Sequence, residues 1–282
     1  MRIRYEKFHA LRNDFLVIEP GQAIKSQSRL SRLASNICDR RSGVGADGIL
    51  HITRSPRAYG KINVYNADGS WAEKSGNGLR IAGVYAFLKS GSGRRRAFDF
   101  ETAGSTDTVT IDKKIGEGFM VSVDLEQPRF KTAVVPIRSR QRYMINSPLS
   151  IGGTKLPVTC LSVGNPHTVL FVNDFDFDWQ ALGGEIERHR AFPNRTNVEF
   201  VKIVTRKKVK LADWERGAGA TGSSGTGAAA AVCAGVIMGI LDRECEVVFD
   251  SGSLFIDWSE DSGVIRLTGP VVHVTSGKYE FK

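Results

Sequence analysis

Cysteine is scarce in this chain: four in 282 residues, Cys38, Cys160, Cys233 and Cys245, with no C-x-x-C pair among them. That spacing excludes a disulfide-framed secreted module and a cysteine-built zinc site, and fits buried, reduced thiols in a cytoplasmic protein. Long apolar runs are also missing. The longest, AAAAVCAGVIMGIL from Ala228 to Leu241, falls short of the roughly 20 residues that a bilayer demands, so it reads as a buried helix and no membrane partner is expected. The first ten residues, MRIRYEKFHA, hold no apolar h-region, so a cleaved signal peptide is not expected. Histidine is rare, and His9, His51, His167, His189 and His273 form no H-E-x-x-H or other clustered metal set. The formal charge is +9, but the cations are dispersed in short sets such as Arg94–Arg96 and Arg206, Lys207, Lys208 and Lys210. Without an aromatic-interleaved basic motif, these read as solvated strand faces and loop tips, and no nucleic-acid partner is expected.

What is present is a core and a repeat. Apolar residues make up 41% of the chain, enough for one large domain or two smaller ones. Short β-branched and aromatic runs bounded by turn residues predict strands at Phe15–Ile18, Ile49–Thr53, Ile62–Tyr65, Met120–Leu125, Thr168–Val172, Val198–Val204, Glu246–Phe249, Leu254–Trp258 and Val264–Leu267. Three helices are predicted. Leu30, Leu33, Ala34, Ile37 and Cys38 form an apolar stripe over Arg29–Arg40. The other two share one design: Ser75-Gly76-Asn77-Gly78 leads into LRIAGVYAFL, and Ser224-Gly225-Thr226-Gly227 leads into AAAAVCAGVIMGIL. A helix apolar on every face is one wrapped by other elements.

Two such units, 149 residues apart, predict an internal duplication. The expected fold is α+β: two pseudo-symmetric lobes, each a curled, mostly antiparallel sheet around a central helix. The first lobe is placed at residues 1–126, completed by 269–282, and the second at 127–268. The two helix starts are expected to face each other across a cleft.

A helix N-terminus presents unpaired N–H groups and partial positive charge, so it binds anions, and glycines let a ligand approach closely. Two such starts could clamp a carboxylate and stabilise the enolate-like charge formed when the adjacent carbon loses a proton. Ser75 and Ser224 would then lie on opposite sides of that carbon. Each serine taken singly is a helix cap; the matched pair is what points to a site.

At this point whole blocks resemble the diaminopimelate epimerase family: NDF (13–15), SGVGADG (42–48), YNADGSWAEKSGNGLR (65–80), GNPH (164–167), TNVEFV (196–201) and WERGAGATGSSGTGAAAA (214–231), in order. The resemblance implies the two-lobed fold and an amino-acid racemase or epimerase that works without pyridoxal phosphate, with no metal or organic cofactor and an amino-acid-like carboxylate as substrate. It implies that Asn13, Asn66, Asn165 and Asn197 hold the distal part of the substrate. Glu215 and Arg216 hold charged groups, Gly76, Asn77, Gly225 and Thr226 supply the carboxylate-binding helix starts, and His167 polarises the second base. A homodimer is one open assembly state.

The departures matter as much. The family carries a cysteine before each Gly-x-Gly, and here both are serine. An alcohol is roughly five pKa units weaker than a thiol, about 7 kcal/mol, of which a helix dipole offsets at most about 2 kcal/mol. A simple alkoxide-for-thiolate exchange therefore fails on magnitude. Ala220 stands where the family has a glutamate, and Trp71 where it is polar. Three readings stay open: a diverged isomerase whose serines are activated by Glu215, His167, Glu73 or Asp68; a dehydratase-like or one-base relative; and a non-catalytic ligand-binding homologue or Cys-to-Ser inactivated epimerase. Two other motifs fail on context. Gly43–Gly48 fits G-x-G-x-x-G but precedes a strand instead of a helix, and GSSGTG lacks the final glycine of a hydrolase elbow.

Overall fold

The computed structural model describes residues 1–19, 24, 26–72, 74–91, 93–103 and 105–281, so Glu73 lies outside the described residues. The chain divides into two compact units: Met1–Val123 with Thr268–Lys282, and Asp124–Leu267.

The first unit holds β1 (Arg2–Ala10), β2 (Asn13–Ile18), α1 (Gln27–Ile37), β3 (Gly48–Thr53), β4 (Gly60–Asn66), β5 (Trp71–Ala72), α2 (Gly76–Ser90), β6 (Ala97–Glu101), β7 (Thr106–Ile115) and most of β8 (Gly118–Leu125). The second holds β9 (Ser147–Ile151), β10 (Thr154–Ser162), β11 (Pro166–Phe171), α3 (Trp179–Glu187), β12 (Asn197–Thr205), β13 (Lys208–Glu215), β14 (Gly219–Ala220), α4 (Gly225–Ile237), β15 (Glu244–Phe249) and β16 (Gly252–Trp258). The last strand, β17 (Ile265–Glu280), starts in the second unit and pairs with β1 in the first.

The duplication is visible in the pairings. In the first unit β1–β2 is antiparallel, β2–β3 parallel across α1, β3–β4 antiparallel, β4–β6 parallel across α2, and β6–β7 antiparallel. In the second, β10–β11 is antiparallel, β11–β12 parallel across α3, β12–β13 antiparallel, β13–β15 parallel across α4, and β15–β16 antiparallel. Each unit is the α+β lobe expected: a mostly antiparallel sheet around a central helix. The central helices are buried over matching stretches, Gly78–Ala86 in α2 and Gly227–Gly235 in α4, so neither has a solvent face.

Three sequence expectations need correction. The first helix ends at Ile37, not Arg40: Gly45 folds back and donates its N–H to the Ile37 carbonyl, which closes the helix end. A fourth helix, α3, was not anticipated; it is capped by Asp178, and it buries Gly183, Gly184 and Ile186. Several strands were missed because they are charged on one face. β1, RIRYEKFHA, alternates exposed and buried positions, so its apolar content is only half that of a two-sided core strand. Among the described residues, no helix is long and apolar enough to cross a membrane.

Candidate active site

Each unit carries its own helix start. In the first, Ser75 sits in extended backbone and its Oγ accepts the Gly78 N–H at 3.0 Å, the arrangement of an N-cap. Asn77 donates to Asn13 Oδ1 at 3.0 Å, and Asn13 donates to Asp47 Oδ2 at 2.8 Å. Behind them lies an ion network: Arg40 bridges Asp47 and Asp14, at 2.8 and 2.7 Å, and Lys7 reaches Asp14 at 2.8 Å. Burial works against ionisation of Asp14, but hydrogen bonds from Arg40 and Lys7 outweigh it and hold the carboxyl below its usual range. The SGVGADG block thus does more than turn the chain. It delivers the Asp47 that orients Asn13.

Arg80 completes this cluster. Its guanidinium donates to Asn77 Oδ1, it has no exposed surface, and its Nε and Nη1 have no hydrogen-bond partner. Burial pushes its pKa down to about 10, which still leaves a cation at neutral pH beside the helix start. Asn66 does not join the cluster: it is exposed and donates to Ser70 Oγ at 2.9 Å within the β4–β5 turn. Asp68 caps the same turn through Ser70.

In the second unit, Ser224 is buried and its Oγ accepts the Gly227 N–H at 3.1 Å. His167, with no exposed surface, holds Glu199 Oε1 through Nδ1 at 2.6 Å and Asn165 Oδ1 through Nε2 at 2.8 Å. Asn165 Nδ2 in turn faces Thr226 Oγ1 at 3.4 Å. Both ring nitrogens are thus engaged, one by a carboxyl and one by an amide, and burial pushes the Glu199 carboxyl pKa up. His167 therefore orients Asn165 on one side and Glu199 on the other.

A side chain at Gly227 would meet Ser224 Oγ at 3.0 Å and Glu199 Oε1 at 3.1 Å, so both oxygens flank the first turn of α4 and leave little room for anything larger than glycine. Asn197 is used at both ends, donating to the Pro166 carbonyl at 2.9 Å and accepting the Arg216 N–H at 2.9 Å. It braces the backbone that carries Glu215 and Arg216. Arg216 itself is exposed and donates to the Asn194 carbonyl at 3.2 Å.

Arg80, Asp47, Glu187 and Glu199 join these clusters without being singled out by the sequence. Glu187, at the end of α3, accepts Trp214 Nε1–H at 2.9 Å and the Gly217 N–H at 3.0 Å, clamping the Trp214–Gly217 segment from behind. A signal for Arg80 was available, since it is the only charge in LRIAGVYAFL. Glu199 lies two residues after Asn197, on the same strand face. Among the described residues, no group of three or more His, Cys, Asp or Glu side chains is arranged to hold a metal ion.

The fold is shared with solved racemases and epimerases. One is a hydroxyproline epimerase from Agrobacterium vitis, solved with bound trans-4-hydroxy-L-proline, which superposes with a TM-score of 0.68 at 13% identity over 98% of this chain and 92% of that one. The model of the diaminopimelate epimerase family matches residues 5–131 and 159–274. The chain is 40% identical to the diaminopimelate epimerase of Carboxydothermus hydrogenoformans, over 98% of this chain and 99% of the relative. It is 37% identical to that of Pelotomaculum thermopropionicum, over 99% and 100%. The chain belongs to the diaminopimelate epimerase family.

Proposed function

We propose that this chain is a cofactor-independent isomerase that removes and returns a proton at the carbon next to the carboxylate of an amino-acid-like substrate, diverged from diaminopimelate epimerase in its proton-moving groups. The observation that supports it best is the pair of matched helix starts, each with a capping serine and glycines over the first turn. The N–H groups of a helix's first turn have no partner inside the helix and favour an anion. A carboxylate bound there becomes a better sink for the electron pair left when its α-carbon loses a proton. Arg80, a buried cation at the first of these starts, strengthens the same effect.

Ser75 in the first unit and Ser224, Glu215 and His167 in the second have unequal roles. The serines cap the helices, His167 fixes Asn165, and Glu215 is a half-buried carboxylate that contacts the Thr221 hydroxyl and is the proton-exchanging group. Asn13 and Asn77 supply amide groups to the substrate in the first unit; in the second, Asn165 supplies an amide and Thr226 a hydroxyl.

Solvent deuterium should enter the α-position of at least one member of a panel containing diaminopimelate, proline, hydroxyproline and the common amino acids, read by mass spectrometry or NMR. Thermal stabilisation by a carboxylate ligand without exchange into any panel member would instead mark a binding protein and end the isomerase reading.

A further inference from the structure

Three carboxylates share one face of the second unit's sheet. Asp213 and Glu215 are two apart on β13, so their side chains point the same way, and Glu199 is the direct cross-strand partner of Asp213 on β12. Like charges placed directly opposite are destabilising, and two of these three are nearly sealed from water: Glu199 is 1% exposed and Asp213 2%. The charged groups facing Asp213 are Glu199, with His167 behind it on β11, and Glu215 on its own strand. Trp214, between the two β13 carboxylates, points to the opposite face and is held there by Glu187 from α3; the buried part of α4, Gly227–Gly235, carries no charge. A single imidazole stands against three carboxyl groups here, and burial pushes the Glu199 carboxyl up as it does Asp213.

The hydrogen bonds say where the missing proton sits. Thr221 Oγ1 lies 2.6 Å from Asp213 Oδ2 and also contacts Glu215 Oε1. A hydroxyl has one hydrogen, so it donates to only one of these carboxyls, and the other must donate to it. A protonated Asp213, the more buried of the two, would donate to Thr221 and leave the Thr221 hydroxyl hydrogen for the Glu215 carboxylate. Burial pushes the Asp213 carboxyl up to about 7, and the charges of Glu215 and Glu199 act in the same direction.

We propose that Asp213, Thr221 and Glu215 form a one-proton relay in which Glu215 is the proton-transferring group of the Ser224 site, and Asp213 and Thr221 are positioning residues that hold it. This rests on the isomerase reading above. It answers the magnitude problem set by the serines, because a carboxylate needs no alkoxide. It also places a carboxylate on the strand beside Ala220, the position where the family's glutamate is lost; β13 and β14 pair through Trp214 and Ala220. In the chemical step the substrate C–H bond breaks, its electron pair passes into the enolate-like carboxylate, and an O–H bond forms on Glu215. The reverse step returns the proton, and the relay's own proton redistributes through Thr221 with no net gain or loss. Above neutral pH the shared proton leaves, Thr221 has one hydrogen for two anions, and Glu215 is released.

The test uses the whole chain with carboxyl-labelled Asp and Glu, titrated by carbon NMR, and Asp213→Asn to assign the resonance. The Asp213 carboxyl is expected to titrate near 7, roughly three units above an ordinary aspartate. In the exchange assay on the best panel substrate, activity should fall as pH rises through that value. Asp213→Asn, which donates permanently to Thr221, should abolish the fall with little change in KM. Thr221→Val should lower kcat by about tenfold or more and Thr221→Ser should restore it.

Asp213 titrating in the ordinary carboxylate range would overturn the relay. So would an alkaline fall that persists unchanged in Asp213→Asn. A chain that titrates as expected but exchanges nothing keeps the shared proton and loses its catalytic use, which separates failure of the relay from failure of the isomerase reading.

Discussion

Replacing Ser75 and Ser224 together by cysteine is expected to raise solvent-hydrogen exchange into diaminopimelate by a factor of up to about 10⁵, judged from an alcohol-to-thiol gain of about 7 kcal/mol, since the helix start favours either anion alike. The gain requires only that the serines' surroundings tolerate sulfur and that the frame still holds the substrate. Both helix starts keep their glycines, and Asn13, Asn77, Asn165 and Thr226 keep the contacts that orient them. The two single variants should differ. A thiol at 75 sits in the cluster of the buried Arg80 cation, whereas a thiol at 224 shares the first turn of α4 with the buried Glu199 carboxylate. The cation favours thiolate and the carboxylate opposes it. Alkylation followed against pH should therefore find Ser75→Cys reactive at lower pH than Ser224→Cys. A double variant that alkylates normally yet exchanges no diaminopimelate would show that the distal pocket has also diverged.

The fold was legible because its signals are local and repeated. Ser-Gly-x-Gly followed by an apolar stretch occurs twice, and a helix without a polar face has to be wrapped, so the two-lobed architecture follows from two short segments. The missed elements are those whose pattern is diluted. In β7, TDTVTIDKKI, only three of the ten positions are buried, and α3 is a short helix whose two glycines pack under Trp214, a contact that no residue property announces. The candidate site was half legible. Ser75, Ser224, Asn13, Asn77 and Asn165 could be picked from their blocks, but the roles of His167, Asn197 and Glu215 could not, because each is set by a partner distant in the chain. Glu199 lies 32 residues from His167, and Asn197 is 19 from Arg216. The Asp213 relay was invisible for the same reason. Its logic is hydrogen counting at Thr221, and that begins only when β13 and the segment before α4 are brought side by side.

Truncating Glu199 to alanine is expected to cost about 3–5 kcal/mol of stability, measured by urea unfolding at neutral pH, whereas Glu199→Gln should cost no more than about 1–2 kcal/mol. Glu199 is the charge partner of His167 at 2.6 Å, and neither residue reaches solvent. Alanine leaves the His167 ring with an unpartnered Nδ1 in a dry site and opens space against the first turn of α4, where Glu199 Oε1 now packs beside Gly227. Glutamine keeps the volume and an oxygen to accept the Nδ1–H.

The two variants should also part in their dependence on pH. Asp213 has its pKa raised from 3.8 to about 7 on folding, so the native state binds more protons than the unfolded chain between those values. The stability this group contributes is complete below about pH 4 and is lost as pH rises to about 7, a loss of roughly 4 kcal/mol in the parent chain. Removing the Glu199 charge directly opposite should bring the Asp213 pKa down and shrink that loss. Glu199→Gln is therefore expected to unfold at a urea midpoint that falls less between pH 5 and 8 than the parent's. An equal fall in both would mean that Glu199 and Asp213 do not feel each other across the strand pair, and the three-carboxylate face would lose its claim to act as one electrostatic unit.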